Sequence, residues 1–156
     1  MKKFITILIS VIMCFACLSM ATSCDEKDDE KDKAKINKEA VGVYEMVEIS
    51  GTINQGGYVT TLDESLYDYY RITLSEDGSA LIESRGNGMS TGIEATGTWE
   101  WDDGQIKVKS KQSGVTTVEV MDWEDGVITY EANVAAQGTE INMVLVLERV
   151  YVEEDK

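Results

Sequence analysis

"ATGTWEWDDGQIKV", residues 95–108, decides the fold. Ala95, Gly97, Trp99 and Trp101 alternate with Glu94, Thr96, Thr98 and Glu100. A period of two marks a strand with one face buried and the other wet. Asp102-Asp103-Gly104 interrupts the pattern, and alternation restarts with Ile106 and Val108 against Lys107 and Lys109. Glycine takes positive φ without penalty and aspartate tolerates turn geometry, so the triplet is a tight hairpin. Strands joined by so short a link are antiparallel neighbours.

The same device recurs. Glu76-Asp77-Gly78 and Glu124-Asp125-Gly126 separate further strand-like runs, and Gln112-Ser113-Gly114 and Gln137-Gly138 look like further hairpin links. Short runs rich in Val, Ile, Thr, Tyr and Trp between glycine-containing turns predict nine strands, at 42–50, 57–62, 70–75, 79–85, 93–101, 105–110, 115–123, 127–135 and 140–151. Ile128, Tyr130, Ala132 and Val134 share one face of their strand, and Val118 and Val120 oppose Glu119 on theirs. The last strand, "INMVLVLERVY", is apolar on both faces, as expected of one that closes a sheet or is covered twice. Asp63–Asp68 has the cap and acidic start of one helical turn. No other stretch of the folded part carries a helical period.

A meander of eight or nine antiparallel strands closes most naturally into an up-and-down barrel, which removes its edges. A β-sandwich is the alternative. An immunoglobulin-like Greek key, however, needs longer crossings than these links provide.

The N-terminus reads as an export signal. Met1-Lys2-Lys3 is basic, Phe4 to Leu18 is apolar apart from Thr6 and Ser10, and small or polar residues follow. Fifteen residues fall short of the roughly 20 that a spanning helix needs. Ser19-Met20-Ala21 suits ordinary signal peptidase. Ala21-Thr22-Ser23-Cys24 resembles a bacterial lipobox, whose cysteine is acylated and becomes the first residue of the mature chain. Cys14 and Cys17 would leave with the signal, so no internal disulfide could form. Cys24 is thus the expected lipid attachment point. Residues 25–35 are nearly all charge and cannot bury apolar surface, which makes 24–39 an acidic, disordered tether. An acidic run after such a cysteine resembles the surface-export signal of Bacteroidetes-type lipoproteins. The organisation expected is therefore signal 1–23, tether 24–39, barrel domain 40–152 and tail 153–156.

The resemblance extends into the domain. "VGVYEMVEI" (41–49) resembles the Gly-x-Trp opening strand of lipocalins, with Tyr44 in the tryptophan place. "LSEDGSALIES" (74–84), "ATGTWEWDDGQIKV" and "VLVLERV" (144–150) resemble the lipocalin-like domains of bacterial lipoproteins. The likeness covers residues 40–152 and implies a barrel, lipid-anchored at the bacterial outer membrane on either its periplasmic or its cell-surface face.

Composition excludes several activities. The formal net charge is −15, and Lys and Arg form no cluster suited to neutralising phosphates, so nucleic acid is not an expected partner. With no histidine, Ser-His and Cys-His nucleophiles and imidazole metal ligands are absent. "RGNGMSTG" (85–92) has no following helix and reads as a loop rather than a phosphate cradle. No catalytic residue, metal or cofactor is expected. The aromatics remain. Tyr44, Trp99, Trp101 and Tyr130 fall on faces that alternation marks as inward, and Tyr70, beside Tyr67 and Tyr69, falls near a possible barrel mouth. They either line a cavity for a small apolar or amphipathic ligand or simply fill the core. With a filled core, the domain would be a surface interaction module for a protein or glycan. Trp123 has a mixed face and no assigned role.

Overall fold

The structure is a computed structural model that describes residues 35–151 except 113, 114 and 137. The signal segment, Cys24 and the tail at 153–156 lie outside the described residues. All nine strands form: β1 (Gly42–Gln55), β2 (Tyr58–Leu62), β3 (Tyr67–Leu74), β4 (Ser79–Gly86), β5 (Ile93–Asp102), β6 (Gln105–Gln112), β7 (Val115–Glu124), β8 (Val127–Ala136) and β9 (Thr139–Val150). Each pairs antiparallel with its neighbours, and β1 pairs with β9 from Val43–Val150 to Gln55–Thr139. That ladder closes a barrel of eight strands, β1 and β3 to β9, so the molecule is an up-and-down meander rather than a sandwich. β2 is the extra strand. It folds back on the far half of β1, while the near half of β1 pairs with β3.

The turns follow from their residues. Asp103 and Gly104 have φ of 47° and 88°, and Asp125 and Gly126 have 48° and 87°. Two consecutive positive φ values twist a two-residue hairpin to match its strands. The β3–β4 link instead carries Asp77, whose carboxylate accepts from the backbone N–H (2.9 Å) and hydroxyl (2.6 Å) of Ser79. Those bonds lower the Asp77 pKa. The helical turn predicted at 63–68 is a short 3-10 turn, Glu64–Leu66, capped by Asp63.

Three differences from the sequence reading have local causes. β1 runs on to Gln55, five residues past the predicted 50, because its far half finds both β2 and β9 as partners. The β1–β9 register shifts between Met46 and Glu48, and the β3–β4 register between Tyr67 and Tyr69. Each bulge changes which parity points inward, so Tyr44 and then Ile49 and Ile53 are buried, as are Tyr67 and then Ile72 and Leu74. Residues 35–39, read as the end of the tether, pack against the barrel. The Lys35 carbonyl accepts from the Trp101 backbone N–H at 2.7 Å, and Ile36 joins the core.

Two glycines permit the strands to close on one another. A Cβ on Gly97 would sit 2.1 Å from the Lys109 carbonyl oxygen, and one on Gly51 2.0 Å from that of Asn142. Only glycine allows backbones so close at barrel corners.

Candidate functional site

The barrel has two unlike ends. The tight hairpins at 75–78, 103–104 and 125–126 gather at one end, with a 3-10 turn at Lys38–Ala40. This end is plugged. Tyr44 is wholly buried, and its hydroxyl donates to the Ala40 carbonyl (2.8 Å). The same oxygen accepts from Trp123 Nε1 (2.9 Å) and from the Arg149 guanidinium (2.8 Å). Arg149 also bonds the Glu39 carbonyl, tying the entering chain to β9. Trp123 meets Trp101 edge-to-face with ring centroids 5.4 Å apart. Trp99 is 1% exposed, and its Nε1 donates to the Ser75 carbonyl (2.9 Å). Of the predicted aromatics, Tyr44, Trp99 and Trp101 therefore form one packed, hydrogen-bonded floor. Trp123 belongs with them, a role that its sequence neighbours did not reveal.

Tyr70 and Tyr130 are in different surroundings. They point into the barrel above that floor, half-buried, with Tyr67 beside Tyr70 at 6.2 Å in edge-to-face contact. Burial raises all three phenols, Tyr67 and Tyr130 to about 12 and Tyr70 well above its usual value, with the charge of Glu119 adding to the last two. Their hydroxyls are neutral at physiological pH. Among the described residues none of the three hydroxyls has a hydrogen-bond partner.

Glu119 completes the group, and the sequence pointed the other way. The alternation of Val118 and Val120 against Glu119 suggested valines inside and the acid in water. The structure inverts β7. Val118 and Val120 are 52% and 43% exposed, while Thr117, Met121 and half-buried Trp123 face inward with Glu119. Register explains it. β6 sets Val108 opposite Glu119, Ile106 opposite Met121 and Ser110 opposite Thr117. Directly paired residues share a face, and Ile106 and Val108 are wholly buried. Two more buried groups, Ser110 Oγ and Thr117 Oγ1, bond each other at 2.9 Å.

The Glu119 carboxyl has no hydrogen-bond partner among the described residues. Desolvation pushes its pKa up to about 7. Desolvation is the whole cause of that shift, and a carboxyl partly removed from water favours its neutral form.

Beside Glu119 the wall is incomplete. β7 and β8 pair only through Asp122–Thr129, Trp123–Ile128 and Glu124–Val127. Beyond these, β7 stays paired with β6 to Val115 and β8 with β9 to Ala136, but not with each other. The two strands separate towards the end opposite the plug. There the barrel has a lateral gap whose edges carry backbone groups without ladder partners. Three outer depressions are lined by other residues. They lie beside the 124–126 turn, across β5–β7 near Gly78 and Trp99, and at the Gly56–Gly57 rim. Among the described residues no cluster of three metal-ligating side chains occurs, and no helix is long and apolar enough to cross a membrane.

Fold and interior together define a small, closed antiparallel β-barrel with a plugged floor and a half-buried polar group above it. No protein-family model matches the chain, and no curated protein sequence does. A crystal structure of an uncharacterized protein from Bacteroides eggerthii is similar over 67% of this chain and 98% of that one, at 14% identity and a TM-score of 0.37.

Proposed function

We propose that this protein is a non-catalytic, lipid-anchored binding protein whose barrel takes up a small apolar or amphipathic molecule. Cys24 is the attachment point, and two or three acyl chains there would hold the protein on the bacterial outer membrane, where one chain would not. One observation carries the binding function. Four inward polar groups, on Glu119, Tyr67, Tyr70 and Tyr130, have no hydrogen-bond partner among the described residues; Glu119 and Tyr130 stand on the two strands that part, and Tyr67 and Tyr70 face them from β3 across the barrel. A finished core satisfies its polar atoms, whereas a ligand site leaves a few convergent ones for the guest. The floor of Tyr44, Trp99, Trp101 and Trp123 supplies apolar surface and rigidity beneath them. Burial of the ligand's apolar body would provide most of the affinity.

A second reading has its own support. Val118 and Val120 form an exposed apolar pair on the outer face of β7, suited to a protein or glycan partner in a surface assembly. Native mass spectrometry on protein purified from its own host separates the two. A co-purifying small molecule, lost on denaturation, supports the barrel site. A ligand-free barrel that co-purifies with a macromolecule supports the outer face. Intact mass of the membrane-extracted protein tests the anchor: a chain starting at Cys24 with added acyl mass is expected, and an unmodified chain starting at Thr22 would refute it.

A further inference from the structure

We propose that the barrel selects ligands with a cationic head, an organic ammonium on an apolar body, and that Glu119 is the group that receives it. This inference rests on the binding function above and adds the chemistry of its guest.

Glu119 is the sole inward-facing acid on β7, set opposite buried Val108 and flanked along its face by Thr117 and Met121. Thr117 is bonded to Ser110 at 2.9 Å. Glu119, Tyr70 and Tyr130 all face the barrel interior, five, four and three residues from the plugged ends of β7, β3 and β8, so they line the same inner level of the barrel, and the charge of Glu119 reaches both phenols. Tyr67, 9% exposed, stands against Tyr70, and its hydroxyl has no hydrogen-bond partner among the described residues. The group thus combines one carboxylate, three neutral phenols and their ring faces. A carboxylate only accepts hydrogen bonds, and ring faces attract positive charge. An ammonium satisfies all of these at once: it donates to the carboxylate and to phenol oxygens and lies against the rings. An anionic head would face Glu119 unpaired, and the chain's net charge of −15 would repel it on approach. A metal ion is poorly served by a single carboxylate.

The raised pKa makes the preference pH-dependent. With its carboxyl at about 7, unliganded Glu119 is largely neutral at pH 5.5 and largely ionised at pH 8. The groups facing it titrate only far above that range, since Tyr67, Tyr70 and Tyr130 are all raised. An aliphatic ammonium keeps its charge throughout. Ammonium affinity therefore rises between pH 5.5 and pH 8, and binding below pH 7 releases a proton.

The test uses three probes with one apolar body, namely decylammonium, decanol and decanoate, titrated calorimetrically into the acylated full-length protein in detergent, with a protein-free detergent blank. Wild type at pH 8 is expected to bind decylammonium about tenfold more tightly than decanol, and decanoate most weakly. The preference should shrink towards unity at pH 5.5 and vanish in Glu119→Gln. Glu131→Gln removes an equal charge from the outer face of β8 and should leave it intact. Equal binding of decylammonium and decanol by wild type at pH 8 overturns the inference while leaving the binding barrel standing. A preference for decanoate, or one for ammonium that survives in Glu119→Gln, overturns it too. If none of the three binds, the binding function falls and the inference with it. The wild-type pH series decides the matter even if the variant does not fold.

Discussion

Glu119→Gln should make the protein more stable, and only at pH values where glutamate would ionise. In the unfolded chain Glu119 titrates near 4.5, and in the barrel at about 7. Between these values the folded state holds a proton that the unfolded state has released. Stability therefore falls as pH rises through the window, is highest below 4.5, and levels off above 7. One pKa unit is worth about 1.4 kcal/mol, so the full shift corresponds to about 3 kcal/mol. Water reaching the half-buried side chain reduces this to about 2–3 kcal/mol. Glutamine keeps the shape and cannot ionise. Urea titrations followed by tryptophan fluorescence, at half-unit steps from pH 4.5 to 8.5, give the difference directly. Trp99, Trp101 and Trp123 all sit in or against the core and report its loss. Outer acids such as Asp77 and Asp102, whose pKa values are lowered by Ser79 and Lys107 respectively, titrate alike in both proteins and cancel. The two proteins should match within about 0.5 kcal/mol at pH 4.5 and diverge to the full amount by pH 8. A difference that stays flat across this range would mean that Glu119 stands in water, and the inverted face of β7 would be wrong.

Three further outcomes are expected. Tyr44→Phe removes the oxygen that accepts from Trp123 and Arg149, and should cost about 1–3 kcal/mol in urea denaturation by leaving the part-buried Trp123 Nε1 without its acceptor and Arg149 with only the Glu39 carbonyl; a loss below about 0.5 kcal/mol would mean that the plug does not depend on them. Gly97→Ala forces a Cβ to within 2.1 Å of the Lys109 carbonyl and should cost more than about 3 kcal/mol or prevent folding, as read by circular dichroism, whereas Gly104→Ala meets no nearby atom and should be far milder, losing only what its positive φ requires. In hydrogen exchange followed by NMR, every second amide of residues 116–121 should exchange at least about a hundredfold faster than the amides between them, which bond β6; uniform protection would mean that the β7–β8 ladder is complete.

Much of this protein was legible one strand at a time. Runs of β-branched and aromatic residues between glycine-containing turns marked all nine strands, and period-two alternation marked the faces of several, because a half-buried strand must alternate whatever lies beyond it. The acid-Gly turns set the antiparallel order, because positive φ at Asp103–Gly104 and Asp125–Gly126 is a local demand that few residues meet. The doubly apolar last strand signalled closure, and β9 does join β1. Tyr44, Trp99, Trp101 and Tyr130 were all placed on inward faces, and they point inward. What alternation cannot supply is its sign when both faces are plausible. In "TTVEVMDW" valines flank the acid, and local chemistry favours burying them. The pairing of Glu119 with Val108 turned the acid inward instead, since a one-residue change of register exchanges the two faces of a strand. The bulges at Val47 and Asp68, the three-way bond at Tyr44, and the parting of β7 from β8 are likewise agreements among strands distant in sequence. The sequence alone thus determined the strands, their turns and their order, which depend on near neighbours. Tertiary structure decided which polar groups face inward, because that depends on how the whole ring closes.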